Sequence, residues 1–134
     1  MSMMDWSEFG FEDTKEPFTL PDGTEAQMQI LAVSKTTSQK GNTGYSIRME
    51  VEDEPYAKEV FHYLMLPNKD QTEKARNNTK WMFLQFASCF GVDLSSPSSP
   101  EDEWAGYEGW CILGIQEDAQ YGRRNIIKEF KRRR

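Results

Sequence analysis

Apolar and polar residues alternate along most of this chain, and the period of the alternation switches from two to 3.6 and back. Over residues 24–38, Met28, Ile30 and Ala32 face one way and Gln27 and Gln29 the other. Over 45–53, Tyr45, Ile47, Met49 and Val51 alternate with Ser46, Arg48, Glu50 and Glu52, and 58–66 is apolar on both faces. These patterns predict three strands, β1, β2 and β3 in that order, arranged as a meander. Gly41, Asn42 and Gly44 supply positive-φ turn chemistry after β1, and Glu54-Pro55-Tyr56-Ala57 makes the next turn. Leu31 and Val33 interrupt the polar face of β1, as expected of a strand that bends within a small barrel.

From 72 to 90 the period becomes helical. Ala75, Thr79, Met82, Phe83, Phe86, Cys89 and Phe90 share one face of this helix, α1, while Lys74, Asn78, Lys80, Gln85 and Ser88 share the other. Asp70 or Thr72 is placed to cap its start and Gly91 its end. Trp81 and Leu84 point off the main apolar face and are expected to pack on a second core surface. A polar connector over 92–103 leads to a largely buried strand at 110–117 (β4), a hairpin tip at 118–124 and a last strand at 125–130 (β5).

Five strands with one helix between the third and the fourth is the order of the five-stranded oligonucleotide/oligosaccharide-binding (OB) barrel, a mainly β fold. One domain, 24–130, is therefore expected, preceded by an acidic-aromatic arm (1–23) and followed by a basic tail (131–134). A chain of 134 residues can bury a core without staples. Cys89 and Cys111 lack metal-ligand spacing and are expected as buried reduced thiols. No run approaches a membrane span or a signal peptide, so a cytoplasmic protein is expected. No cofactor or metal is expected either.

Charge and reactive groups then narrow the function. The net charge of −6 is carried by the first 25 residues, which hold seven acids against Lys15 alone; the rest balances. A neutral body with a local basic groove is compatible with phosphate binding. The single histidine, His62, lies mid-strand, and no nucleophile elbow, phosphate loop or metal motif occurs, so a binding module is expected rather than an enzyme. In an OB barrel the β2–β3 face and the loops joining β1–β2 and β4–β5 form the binding surface. Basic and aromatic residues fall there: Lys35 and Lys40 in the first loop, Arg48 on β2, Lys58, Phe61 and Tyr63 on β3, and Tyr121, Arg123 and Arg124 in the last loop. Cations that track a backbone, together with rings that stack on bases, are what single strands require. Tyr45 shares its face with Ile47 and Met49 and is assigned to the core.

The stretch Asn77-Asn78-Thr79-Lys80-Trp81-Met82-Phe83-Leu84-Gln85-Phe86, with Phe90-Gly91-Val92, Gly109-Trp110-Cys111-Ile112-Leu113-Gly114 and Tyr121-Gly122-Arg123-Arg124-Asn125, resembles a family of small tailed-phage single-stranded DNA-binding proteins encoded among replication and recombination genes. The resemblance also takes in the acidic-aromatic start and the segment after Pro21-Asp22-Gly23. It implies an OB barrel that coats single-stranded DNA in the host cytoplasm, with replication or recombination proteins and further copies of itself as partners. The competing reading is a protein-interaction module on the same barrel, in which the acidic arm recruits a phage or host protein. Trp6, Phe9, Phe11 and Phe18 in that arm are expected to pack on the body as a strap; the functional alternatives are a partner-recruiting peptide and a strand that competes for the basic groove.

Overall fold

The computed structural model describes residues 2–120 and 122–132. The strands are β1 (Glu25–Thr37), β2 (Thr43–Val51), β3 (Val60–Met65), β4 (Glu108–Asp118) and β5 (Gly122–Phe130), with α1 (Glu73–Phe90) between β3 and β4. A one-turn helix, α2 (Pro100–Glu103), interrupts the connector expected to be irregular. The strands form one antiparallel sheet in the order β3-β2-β1-β4-β5.

The sheet is open. Among the described residues no ladder joins its edges, β3 and β5, so the expected closed barrel is not seen. Part of the reason lies in the arm. The amide of Phe18 donates to the Tyr56 carbonyl and the amide of Lys58 donates to the Phe18 carbonyl, giving a parallel bridge just before β3. Two residues on, the Leu20 amide donates to Asn125 Oδ1, and Asn125 Nδ2 donates to the carbonyls of Leu20 and Gly114. Buried Asn125 thus ties the strap to β5, and the strap occupies backbone groups that a closing ladder would need at that end. The backbone of residues 18–20 is thus strapped to the body, but the expected packing of the arm's aromatics is not seen: Trp6, Phe9, Phe11 and Phe18 are all exposed.

Both edges still contribute to one core. Met28 and Ile30 point inward from β1, but a bulge at Leu31 shifts the register, so Ile30 pairs with Met49 and Ala32 with Arg48. The inward parity thereby passes from even to odd positions, and Val33 is buried in turn. The extra residue, rather than a smooth bend, explains the interrupted face. Helix α1 lays Phe86, Cys89 and Phe90 across this surface; Trp104, buried after α2, stacks 5.2 Å from Phe86 and 5.9 Å from Tyr45. Tyr45 is accordingly a core contact.

The helix approaches β4 closely because Gly109 has no side chain. A Cβ there would lie 2.7 Å from Cys89 Sγ and 2.8 Å from the Cys89 carbonyl. Thr72 is the N-cap, accepting from the Ala75 amide, and Gly91 ends the helix at φ 71°. Cys89 and Cys111 are buried thiols not joined by a disulfide, their sulfurs 3.9 Å apart. The hydrogen bond with Cys89, and then burial, push the Cys111 thiol far up. It stays protonated and unreactive at neutral pH.

Candidate nucleic-acid interface

Strand β3 has one face in the core and one in solvent. Val60 and Leu64 are buried, whereas Phe61 and Tyr63 are 54% and 44% exposed. Residues two apart on a strand project from the same face about 6.6 Å apart, so the two rings form successive steps. Tyr63 lies over Gly44 on β2, where a Cβ would come within 2.7 Å of its ring. Gly44 therefore serves close approach, not the positive φ expected of it; Gly41 takes that role at φ 82°.

A groove of about 710 Å³ runs from Phe61 toward the start of β5. Lys58, Arg123 and Arg124 line it together with Tyr56 and Lys15. The Lys58 ammonium donates to the Arg123 carbonyl at 2.9 Å, which sets the spacing across the gap between the edges. Arg123 makes a 3.5 Å ion pair with Glu117, and Arg124 donates twice to Gln116 Oε1. Both arginines belong to β5 itself, not to the hairpin loop, because the β4–β5 ladder extends to Asp118 and Gly122. Lys58 likewise precedes β3 rather than lying on it.

Lys35, Lys40 and Arg48 are not among the residues that line the groove. Lys35 pairs with Tyr45, so after the bulge it shares the parity of Val33 and faces opposite Phe61 and Tyr63. It also belongs to β1, not to the loop. Lys40 lies in the β1–β2 turn, beyond the far end of β3, where Gly44 pairs with Met65. Arg48 is on the outer face beside Phe61, 3.7 Å from the Glu59 carboxylate. Tyr121 lies outside the described residues.

On the same outer face, Glu50 and Glu52 continue β2 past Arg48 alongside the start of β3, and the surface from there toward β4 is acidic. Glu52 is held above the usual carboxylate range by partial burial, by a shared hydrogen bond with Glu108, and by the charges of Glu108, Asp53 and Glu50. Phosphates are repelled there and favoured toward Lys58, Arg123 and Arg124. His62 points inward and packs edge-on against Phe130 at 5.0 Å; burial lowers its pKa, which keeps it neutral. It takes no part in the groove.

The groove also takes in residues that the sequence reading does not assign to a site: Tyr56 from a turn, Lys15 from the arm, and Glu59, the one carboxylate among the lining residues. The available signals were an aromatic in a connecting turn and the only base among the first 25 residues. Four exposed residues correct the reading further: Trp81 and Leu84 do not pack on a second core surface, Met82 is not buried under α1, and Trp110 is not buried in β4. Trp81 and Trp110 are 47% and 49% exposed, and Met82, expected on the apolar face of α1, is exposed as well. Gly109, Cys111 and Leu113 alternating with Trp110 would have marked that ring as outward.

No protein-family model matches the chain, and no curated protein matches it in sequence. Among the described residues no cluster of histidine, cysteine or carboxylate groups is placed to hold a metal ion, and no helix is long and apolar enough to cross a membrane.

Proposed function

We propose that this protein binds single-stranded DNA without sequence preference along the outer side of β3, and that it coats and protects such strands during phage replication or recombination. The observation that carries this reading is the pair of outward rings, Phe61 and Tyr63, leading into a groove with Lys58, Arg123, Arg124 and Lys15 at its walls. Rings at successive outward positions can stack on successive bases, and each stack contributes about 1–3 kcal/mol by alanine substitution. The cations attract the backbone whatever its sequence.

An OB-type barrel is the fold we assign to this function. It is supported by β1 pairing with both β2 and β4, by the helix after β3, and by the edges approaching in a parallel sense, with Lys58 near Arg123 and His62 near Phe130. The resemblance to tailed-phage single-stranded DNA-binding proteins points the same way. Fluorescence anisotropy with labelled oligo-dT at two salt concentrations tests the function. Binding that weakens as salt rises is expected; a folded protein that binds no strand at low salt would overturn it.

The second reading, a protein-interaction module, is favoured by one observation, the exposed acidic-aromatic segment at the N-terminus. Strand binding that is absent in the anisotropy experiment would leave that reading in place.

A further inference from the structure

Residues 5–13 form a small head. Two 3₁₀ turns, Trp6–Phe9 and Phe11–Asp13, meet at Gly10 with φ 63°, and Asp5 caps the first through the Ser7 amide. Trp6, Phe9 and Phe11 lean on one another with ring centroids 5.8–6.4 Å apart. All three remain exposed, and among the described residues none pairs with a ring of the body. Asp5, Glu8, Glu12 and Asp13 surround them with no intervening base. The head is apolar at its centre and acidic at its rim, the converse of an apolar surface bordered by cations.

The same chain carries such a surface. Trp81 and Leu84 project from the outer stripe of α1, and the Arg132 guanidinium sits 5.3 Å from the Trp81 ring centre. They line a notch together, and the neighbouring hollow on α1 carries Lys74, Arg76 and Lys80 against one carboxylate, Glu73. No acidic residue lines this notch. Within one molecule the head does not sit on this notch: among the described residues its rings pair only with one another, and the Trp81 ring meets Arg132.

We propose that the head of one copy docks on the Trp81–Leu84–Arg132 notch of a second copy. The rings of the head cover Trp81 and Leu84, and its carboxylates face Arg132 and Lys80. Head and notch are different surfaces, so the contact is head-to-tail: each added copy presents another free notch, and growth is open-ended rather than a closed pair. This inference does not depend on DNA binding. On a strand, the same contact would make coating cooperative.

The test is sedimentation velocity of the full chain without DNA, over a range of concentration at low and high salt, with circular dichroism to confirm folding. Wild-type protein should assemble at low salt and dissociate as salt rises. A head variant (Trp6→Ser, Phe9→Ser and Phe11→Ser) and a notch variant (Trp81→Ala with Arg132→Glu) should each associate at least about tenfold more weakly, since both remove the anchors of the contact. An equal mixture of the two should form 1:1 dimers that grow no further, because one supplies only a notch and the other only a head. Monomeric wild type throughout, variants that assemble like wild type, or a mixture that stays monomeric would each overturn the proposal.

Discussion

Two surfaces of this protein set half-exposed rings beside cations, and their rings are exposed to nearly the same degree. Phe61 and Tyr63 on β3 differ little in this from Trp81 on α1 and Trp110 on β4. What separates the surfaces is geometry and charge. The β3 rings repeat along an extended strand and open into a groove where Lys15, Lys58, Arg123 and Arg124 outnumber the single lining carboxylate, Glu59. On the other surface Arg132 is already stacked on Trp81, and the hollow beside Trp110 includes Glu25 and Glu108 as well as Lys131, which is itself paired to Glu25 at 2.9 Å. Exposure of a ring identifies a contact surface; the charges around it decide whether a polyanion or an acidic peptide fits.

The largest effect should come from the β3 rings. Phe61→Ala and Tyr63→Ala are each expected to weaken single-strand binding by about 1–3 kcal/mol, and Trp81→Ala to leave it unchanged at the level of a single bound copy. Anisotropy with an oligonucleotide short enough for one protein molecule measures this; equal losses at Trp81 would erase the distinction between the surfaces. Thermal melts of the same variants check that each ring is a surface contact, since loss of folding would place Phe61 or Tyr63 in the core.

Next comes the strap. Asn125→Ala leaves the half-buried amide and carbonyl of Leu20 and the buried carbonyl of Gly114 without their partner and is expected to cost about 1–3 kcal/mol in urea unfolding. It should also lower DNA affinity by loosening Lys15 and Pro17 at the groove wall, while head-to-notch assembly of the folded protein keeps its notch. An unchanged midpoint would show that the strap is not held through Asn125.

Replacing Arg123 and Arg124 together with alanine should weaken binding of all sequences alike. If both contact phosphates, the slope of log K against log salt should become shallower by about 1.4, at about 0.7 per phosphate on a single strand. A slope that does not change would move the phosphate path away from β5.

The smallest effect concerns β3 from its inner side. Burial holds the pKa of His62 below 6.5 in the folded state. Its contribution to stability is therefore complete above pH 6.5 and is lost as pH falls through the folded value, because the unfolded chain takes up the proton first. Melting temperature should decline on acidification below 6.5, and His62→Phe should flatten that part of the profile. Identical profiles for the two proteins would show that His62 is free to protonate in place.

The elements of this fold were legible in the sequence because strands and helices are written in local periodicity. The three-strand meander, α1 with Asp70 or Thr72 before it and Gly91 after it, and the closing hairpin all follow from spacing within windows of ten to twenty residues. The candidate rings on β3 were legible for the same reason: Val60 and Leu64 oppose Phe61 and Tyr63, and only one set could enter the core. Lys35 is expected in the first loop, but β1 runs on to Thr37, and the bulge at Leu31 then turns Lys35 to the side opposite Phe61 and Tyr63; a bulge depends on the partner strand as much as on its own residues.

Chain order and alternation by themselves determined a mainly β domain with one helix, an acidic N-terminal segment and a ring-bearing third strand. Tertiary structure alone decided which distant segments meet. It brought Lys15 and Tyr56 to the groove, joined Leu20 to Asn125 across more than a hundred residues, buried Trp104 beneath α1, and left Trp81 and Trp110 in solvent. These outcomes rest on register, edge placement and packing between elements far apart in the chain, and no local pattern of polarity encodes them.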